Sequence, residues 1–286
     1  MFQINNIMTI PPFSVPKEEK SHLYNEALRS ITKHHYRNCL KYRNILDSLK
    51  YSPNDFYSYD HLPFLSVRLF KKYKLLSIRE EKIFKIMNSS GTSGQEVSKI
   101  YLDKENANLQ IKILTKIVST VLGNKRLPML VIDSKSIIED RHLFSARGAG
   151  IIGFSIFGND VTYALNNNFE LDIKKVNDFA KKHKNEKIFI FGFTSIIWKN
   201  FVRYILDNGI TPPQLNGVII HGGGWKKLAD LKVDNTLFKK SVLDACGVKN
   251  VNNYYGMIEQ TGSIFLECSE GYLHASIFSD IIIRRK

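Results

Sequence analysis

Cysteine is scarce in this chain of 286 residues, and its three copies lie far apart, at Cys39, Cys246 and Cys268. Such spacing excludes a disulfide framework and predicts a protein of the reducing cytoplasm. Long apolar runs are also missing, because no stretch reaches the roughly 18 apolar residues of a transmembrane helix. Residues 1–16 lack a basic region followed by an apolar run, so we predict no signal peptide.

Acidic residues are outnumbered, with 27 Asp and Glu against 41 Lys and Arg, and the net charge is +14. The lysines are spread along the chain rather than gathered in one block, and many fall within a predicted helix over 172–183. This distribution favours a lysine-rich surface over nucleic-acid binding, an alternative that rests on charge alone. An anionic substrate such as ATP would also be attracted by the positive field.

Short apolar runs alternate with amphipathic segments, and the hydrophobic content of 43% suffices for one large domain or two modest ones. The periodicity predicts helices over 17–50, 109–122, 172–183, 195–207 and 227–246. It predicts strands over 128–132, 151–154, 188–191, 217–220 and 251–254. This alternation predicts an α/β fold with mainly parallel sheets. More closely spaced strands over 263–266, 272–274 and 281–284 predict a short antiparallel part towards the C-terminus.

A loop rich in glycine and hydroxyl groups occupies residues 87–95, which read Met-Asn-Ser-Ser-Gly-Thr-Ser-Gly-Gln. Its glycines permit close approach of the backbone, and its N–H and O–H groups can donate to phosphate oxygens. A Walker A loop would have lysine directly after its last glycine, whereas here Gln95 follows Gly94. The segment therefore predicts a phosphate-binding loop of another kind, with a surface turn as the alternative.

A second motif lies at residues 254–259, which read Tyr-Tyr-Gly-Met-Ile-Glu and join an aromatic-glycine turn to a carboxylate. Before it, the predicted strand over 217–220 is followed by His221, Gly222–Gly224 and Trp225. Ligands of α/β sheets bind where strands end, and bare glycine backbone can contact the edge of a flat ligand. Together with the phosphate loop, these segments indicate an enzyme that uses ATP to activate a carboxylate. A flexible turn with a core tryptophan is the alternative for the glycine segment.

Two other patterns are less informative. Residues 148–153 match G-x-G-x-x-G, but no strand-like pattern precedes them, so close packing beside a pocket is favoured over a dinucleotide site. Cys268 and His274 would supply half of a zinc site, so a buried thiol and a strand histidine are favoured there.

In their order along the chain, these segments resemble the LuxE family of acyl-protein synthetases. That family is a branch of the adenylate-forming superfamily, which also holds phenylacetate–CoA ligase. The resemblance covers about residues 55–286, and its elements lie at 62–71, 89–95, 191–195, 221–227 and 255–274.

The resemblance implies a layered α/β adenylation domain over 61–286, preceded by an N-terminal helical segment over 1–60. It implies a ligase in which ATP and a long-chain fatty acid give acyl-AMP and pyrophosphate, before the acyl group passes to a protein thiol. The implied partners are the reductase and acyl-transferase subunits of a fatty acid reductase complex. The family's small C-terminal domain and acyl-accepting cysteine lie beyond Lys286, so we do not expect Cys268 to be the acceptor.

The resemblance also implies roles for individual residues. The phosphate loop comprises Ser89, Ser90, Gly91, Thr92, Ser93, Gly94 and Gln95, and the adenine border comprises Gly222, Gly223, Gly224 and Trp225. Tyr255, followed by Gly256, would pack on the adenine, and Glu259 would be the catalytic residue that ligates Mg²⁺. Beside these roles, the apolar residues Phe191, Phe193 and Ile196 predict a pocket for the acyl chain, of undetermined depth.

Two positions depart from the superfamily pattern. Ile258 stands where threonine often precedes the motif glutamate, which removes a hydroxyl group from the α-phosphate. Val97 stands where a lysine is common, and Lys99 is the nearby candidate to replace it. Two alternative functions stay open: a CoA ligase for an aromatic or small carboxylic acid, and a truncated module that binds nucleotide or acyl chain without turnover.

Overall fold

The computed structural model describes residues 4–89, 96–139, 146–211, 213–223, 231 and 233–284. The chain divides into two compact units. The first, called here the helical unit, comprises Met1–Ile117, Gly256–Ile264 and Ala275–Lys286; the second, the sheet unit, comprises Val118–Tyr255 and Phe265–His274. The division of the sequence at residue 60 stays a prediction.

The helical unit begins with helices, whose bounds are α1 Ile4–Met8, α2 Lys17–Asn38, α3 Leu40–Ser48 and α4 Arg68–Lys72. The single helix predicted over 17–50 is wrong in one respect, because Cys39 has an extended backbone that separates α2 from α3. Strands β1 (Lys85–Asn88) and β2 (Lys99–Leu102) then form an antiparallel pair, and α5 covers Lys104–Leu122.

The last described residues of the chain are held to the N-terminal helices of the helical unit. Asp280 accepts a hydrogen bond from Tyr59 Oη at 2.8 Å and lies 3.6 Å from Lys20 Nζ. Arg284 donates to the carbonyl oxygens of Asp60 and Leu62. The strand predicted over 281–284 is wrong, since these residues have no strand pairing within the described part of the chain. A β-branched apolar run predicts a strand only where a partner strand is available.

The sheet unit is built on seven hydrogen-bonded strands in the order β4-β3-β5-β6-β7-β8-β9. Their bounds are β3 Leu127–Ser134, β4 Gly158–Leu165, β5 Ile188–Phe193, β6 Gly217–Gly222, β7 Asn250–Gly256, β8 Ile264–Glu267 and β9 Leu273–His274. The strands from β4 to β7 pair in parallel, whereas β8 and β9 pair antiparallel. This arrangement confirms the predicted α/β class and the antiparallel strands near the C-terminal end.

Helices of the sheet unit are α6 Ser136–Glu139, α7 Ala146–Ser155, α8 Ile173–Lys182, α9 Thr194–Ile196, α10 Arg203–Asp207 and α11 Asn235–Cys246, with π-helical geometry over Ile197–Val202.

Successive residues of β5 alternate between two cores. Ile188 and Ile190 join a hydrophobic core that includes residues of α8 and α11, while Phe189 and Phe191 contact Phe154 of α7. No helix in the described residues has the length and apolar character needed to cross a membrane.

The strand predicted over 151–154 is wrong, because these residues form the second half of helix α7 and the strand lies later, at Gly158–Leu165. A short apolar run of this kind has no periodicity that separates a buried strand from a buried helix. The helix predicted over 227–246 is confirmed from Asn235 onward, where the Asp234 side chain accepts a hydrogen bond from Leu237 N. Residues 224–230 and 232 lie outside the described part.

Helix α11 ends at Gly247, and replacing this glycine should lower the stability of the protein. Gly247 has φ +76°, and a Cβ there would lie 2.9 Å from Gln214 Oε1. We expect Gly247→Ala to lower the free energy of unfolding by about 1 kcal/mol. The matched control is Gly153→Ala in α7, where a Cβ meets nothing within 4 Å and alanine should stabilise the helix by about 0.5–1 kcal/mol. Urea denaturation measures both changes, and shifts of the same sign would contradict this assignment.

Candidate functional site

The carboxyl ends of β5, β6 and β7 lie side by side, because parallel strands end at the same edge of a sheet. Phe193 is in register with Gly222, and His221 is in register with Asn253. This edge therefore brings together the sequence motifs that begin at residues 191 and 221 and the strand that leads into Tyr255. Ligands of open α/β sheets bind at such an edge.

Thr194 and His221 form a buried hydrogen-bonded pair directly behind the glycine turn. The Thr194 hydroxyl donates its one proton to the carbonyl oxygen of Gly222 at 2.9 Å. It must therefore accept from Nδ1–H of His221, which lies 2.9 Å away, and this fixes the imidazole tautomer. Burial lowers the pKa of His221 to about 3, so the ring is neutral near pH 7. The pair orients the Gly222 carbonyl. It also explains why each of the two motifs has a polar residue here: Thr194 and His221 hydrogen-bond to each other.

The glycines at 222 and 223 make room for aromatic side chains. A Cβ on Gly222 would lie 2.5 Å from the Tyr254 ring, and a Cβ on Gly223 would overlap the Phe193 ring. Gly223 also has φ +94°, a conformation that L side chains rarely adopt. Across the same Phe193 ring, a Cβ on Gly150 of α7 would lie 3.0 Å away. Any larger residue at 222 or 223 would displace Phe193 or Tyr254 from the edge.

The residues predicted to form an acyl pocket have different environments. Phe191 has no exposed surface, because its ring stacks on Phe154 with centroids 4.4 Å apart and also packs against Tyr254. Phe193 and Ile196 are half-buried, and Ile196 packs against the hydrophobic core that Ile188 and Ile190 join. Of the three, Phe193 lies at the strand end beside the glycine turn.

Among the aromatic side chains that the structure describes at this edge, Tyr255 is the most accessible, with 49% of its surface exposed. One side of its ring packs on Phe265, with centroids 5.9 Å apart and an interplanar angle of 23°. The ring is thereby held in place from one side, which suits it to stack against a flat ligand with the other.

Glu267 is not among the residues that the sequence predicts for the site. It lies at the end of β8 and is only 4% exposed. Its carboxylate accepts hydrogen bonds from Lys239 Nζ at 2.9 Å, from the backbone N–H of Asn253 at 2.7 Å and from the Asn235 amide. Burial alone raises the pKa of Glu267, but these hydrogen bonds outweigh it and hold the pKa below its usual value. The only sequence signal was an acidic residue closing the apolar run Ile264–Leu266.

The helical unit contains Glu259, Gly256 and Ser89 of the predicted residues. Glu259 and Gly256 lie in the segment Gly256–Ile264, where Gln260 N donates to Met257 O at 3.0 Å and closes a turn around Glu259. The Glu259 carboxylate is half-buried and has no hydrogen-bond or ion-pair partner among the described residues. Ser89 pairs with Ser98, whose N–H donates to Ser89 Oγ at 2.8 Å. Predicted residues outside the described part are Ser90, Gly91, Thr92, Ser93, Gly94, Gln95, Gly224 and Trp225.

Two surface cavities in the sheet unit lie away from these motif residues. One, of about 470 Å³, is a polar cleft at the carboxyl ends of β3 and β4, lined by residues that include Lys135, Tyr163 and Lys175. The other, of about 320 Å³, lies beside Trp198 and Leu237. Neither cavity is lined by Thr194, Tyr255 or Glu267, so the size of a cavity does not identify the candidate site.

The Thr194–His221 pair yields a stability prediction. Thr194→Val keeps the shape of the side chain but removes both the donor to Gly222 O and the acceptor for His221, so we expect a loss of about 1–3 kcal/mol. The control Thr194→Ser keeps the hydroxyl and loses one methyl group, which costs about 0.8 kcal/mol. Denaturant unfolding compares the two variants. A valine variant as stable as the serine variant would show that the hydroxyl group is not needed.

Comparison with known proteins places the fold and the family. A family model described as acyl-protein synthetase, LuxE, matches residues 3–286. A search of curated proteins finds no significant sequence match.

Solved structures of 2-hydroxyisobutyryl-CoA ligase are similar in fold. An open conformation in complex with 2-HIB-AMP and CoA has a TM-score of 0.63 at 11% sequence identity, over 91% of this chain and 60% of that chain. A postadenylation state in complex with 2-HIB-AMP has a TM-score of 0.63 at 10% identity, over 92% of this chain and 54% of that chain. The present chain thus spans 60% or less of the length of these ligases, and at such identities the likeness shows the fold alone.

The α/β architecture expected for an adenylation domain is therefore confirmed. Because the family model matches the chain from residue 3 to its last residue, the protein belongs to the LuxE family of acyl-protein synthetases.

Proposed function

We propose that this chain catalyses the ATP-dependent conversion of a carboxylic acid to an acyl adenylate, the first half of an acyl-protein synthetase reaction. The observation that carries the proposal is the convergence of three of the family's motif segments, those that begin at residues 191, 221 and 255, at the carboxyl edge of β5, β6 and β7, with the Tyr255 ring exposed there. Family membership supports it, and so does the shared fold with ligases whose structures contain 2-HIB-AMP.

In the proposed reaction, a carboxylate oxygen of the acid attacks the α-phosphorus of ATP. The bond from that phosphorus to the bridging oxygen breaks, and pyrophosphate leaves with the electron pair. In the second step a thiol sulfur attacks the acyl carbon, and AMP departs with the oxygen that had joined it to the acyl group. Such chemistry needs no covalent enzyme intermediate in its first step, so catalysis consists mainly of positioning and charge stabilisation.

Nucleotide binding is assigned to the motif residues. We propose that the loop over 89–95 donates hydrogen bonds to the ATP phosphates and that the segment 222–225 borders the adenine. Tyr255 packs on the adenine face. Its exposed ring, supported from one side by Phe265, has the stacking geometry that this role needs.

Glu259 is the residue proposed to hold Mg²⁺. Mg²⁺ in nucleotide sites is bound through one or two carboxylates together with substrate phosphates. The Glu259 carboxylate fits this requirement, because it is half-buried and no described side chain engages it. When bound, the ion neutralises charge on the phosphate oxygens and favours departure of pyrophosphate.

The acid proposed as substrate is a long-chain fatty acid, and the proposed acceptor is a protein thiol, with reductase and acyl-transferase subunits as partners. The family supports these choices, and the half-buried Phe193 and Ile196 supply apolar surface near the strand ends. The free thiols of Cys39, Cys246 and Cys268 are consistent with a cytoplasmic location, which we also propose.

One observation favours a second candidate, a CoA ligase acting on a small or aromatic acid. The rings of Phe154, Phe191 and Tyr254 pack together on the α7 face of β5. Because Phe191 is completely buried among them, the space available to a long acyl chain on that face is limited.

The magnesium assignment is tested by Glu259→Gln, which keeps the shape and removes the charge. We expect the dissociation constant for Mg-ATP to rise about tenfold or more, because a direct carboxylate ligand is lost and even groups that only hydrogen-bond to metal ligands contribute about 10–100-fold to metal affinity. Binding of ATP in the presence of a chelator should not change. Glu270→Gln is the matched control, since Glu270 is exposed and its described hydrogen bond is to Ser269. Calorimetry that finds equal Mg-ATP affinity for the wild type and Glu259→Gln would remove Glu259 from the site.

The choice between the two candidate acids is tested by acid-dependent ATP–pyrophosphate exchange across acids from acetate to palmitate, with phenylacetate included. Each buried methylene contributes about 0.8 kcal/mol, so a long pocket predicts an apparent affinity that rises about fourfold per added methylene. We expect the optimum at a long-chain acid. An optimum at phenylacetate, or at a chain shorter than hexanoate, would exclude the long-chain assignment and favour the CoA-ligase candidate.

A further inference from the structure

The end of β7 is held in place by the neighbouring strand β8. Phe265 and Glu267 are two residues apart in β8, so their side chains project from the same face of the strand. Phe265 packs on the ring of Tyr255, and Glu267 accepts the backbone N–H of Asn253. Both contacts thus fall on the residues of β7 that surround Tyr254.

Asn253 is the last residue of β7 that pairs with strand β6 among the described pairs. The register between β6 and β7 runs from the Val218–Asn250 pair to the His221–Asn253 pair. Beyond Asn253, Tyr254 and Tyr255 belong to β7 but have no partner in β6 among the described pairs. The Glu267 carboxylate, 2.7 Å from Asn253 N, therefore holds the amide two residues before the exposed Tyr255.

The carboxylate is itself held rigidly by helix α11. Asn235 and Lys239 are one helical turn apart, and both donate to the same oxygen of Glu267. Asn235 is the first residue of α11, where the helix dipole also favours negative charge. Lys239 and Glu267 form an ion pair at 2.9 Å, in which the Glu267 side chain is only 1% exposed.

We propose that Glu267 is a positioning residue for nucleotide binding, which acts through the Asn253 amide to hold the β7 strand end and so orients Tyr255 against the adenine. This inference rests on the proposed role of Tyr255 in binding ATP. It assigns to Glu267 no contact with substrate. The physical basis is that an ionised, nearly inaccessible carboxylate joins three elements, α11, β7 and β8, at the residues next to the stacking side chain.

The test compares Glu267→Ala with Glu267→Gln and with Asn235→Ala. Glu267→Ala removes the acceptor of the Asn253 amide, and we expect hydrogen exchange of the amides over 253–255 to accelerate at least about tenfold, as for loss of one buried hydrogen bond. Glu267→Gln keeps an oxygen that can accept from Asn253, so its exchange should fall between that of the wild type and that of the alanine variant. Asn235→Ala keeps both the Asn253 hydrogen bond and the Lys239 ion pair, so it should accelerate exchange over 253–255 much less than Glu267→Ala does.

Steady-state kinetics of the full chain supply the second readout. We expect the KM for ATP to rise about tenfold in Glu267→Ala, while kcat and the KM for the acid stay within about twofold. A purely structural role would instead lower kcat and raise both KM values together. Unchanged exchange over 253–255 in both Glu267 variants, or a parallel rise of both KM values, would overturn the proposal. If the alanine variant does not fold, the intermediate behaviour expected of Glu267→Gln decides the question.

Failure of the proposed function has a different signature. If the wild-type chain shows no acid-dependent exchange of pyrophosphate, the adenylation activity is wrong whatever the Glu267 variants do. The link between Glu267 and the mobility of residues 253–255 would then still be decided by hydrogen exchange. A wild type that turns over, together with Glu267 variants whose KM for ATP is unchanged, would refute the positioning role alone.

Discussion

Parallel pairing of β3, β5, β6 and β7 is the constraint on which the candidate site depends. A parallel sheet must be covered on both faces, and the alternating residues of β5 show how this is done, with aliphatic residues on one face and phenylalanines on the other. Once both faces are covered by helices and packed side chains, ligands have access at the strand ends. Residues 191–195, 221–223 and 253–255, distant in sequence, meet there because their strands share a direction.

Several polar side chains are buried at the strand ends, although the interior of the sheet unit is otherwise mainly apolar. His221, Thr194 and Glu267 are all polar and all buried, and each is hydrogen-bonded to a backbone group or to another polar side chain of this region. Burial of polar groups is tolerated when their hydrogen bonds are made. Here those bonds hold two backbone groups at the last residues of the parallel register, namely the Gly222 carbonyl and the Asn253 amide. The exposed Tyr255 ring and the glycine turn thus adjoin backbone that side-chain hydrogen bonds hold in place.

Much of this architecture was predictable from sequence, and the failures have physical causes. The apolar runs over 188–191 and 217–220 predicted buried strands because little else in a globular protein is so uniformly apolar, and the structure confirms them. The run over 151–154 was equally apolar but belongs to α7, because periodicity cannot resolve so short a segment. The role of the motif glycines in a site stays a prediction, and their packing against Phe193 and Tyr254 could not be predicted because it depends on the tertiary fold. The role of Glu267 could not be predicted from sequence, because its hydrogen-bond partners are 14 to 32 residues away and contact it only in the tertiary fold.

The central claim is that a carboxylate oxygen of the acid forms a bond to the α-phosphorus of ATP. Incubation of the protein with Mg-ATP, a carboxylic acid labelled with ¹⁸O and hydroxylamine as the nucleophile tests it directly by mass spectrometry of the nucleotide product. Adenylation predicts AMP that carries one labelled oxygen, because the oxygen stays on phosphorus when the acyl carbon is attacked. Unlabelled AMP, or formation of ADP with labelled inorganic phosphate, would contradict the account.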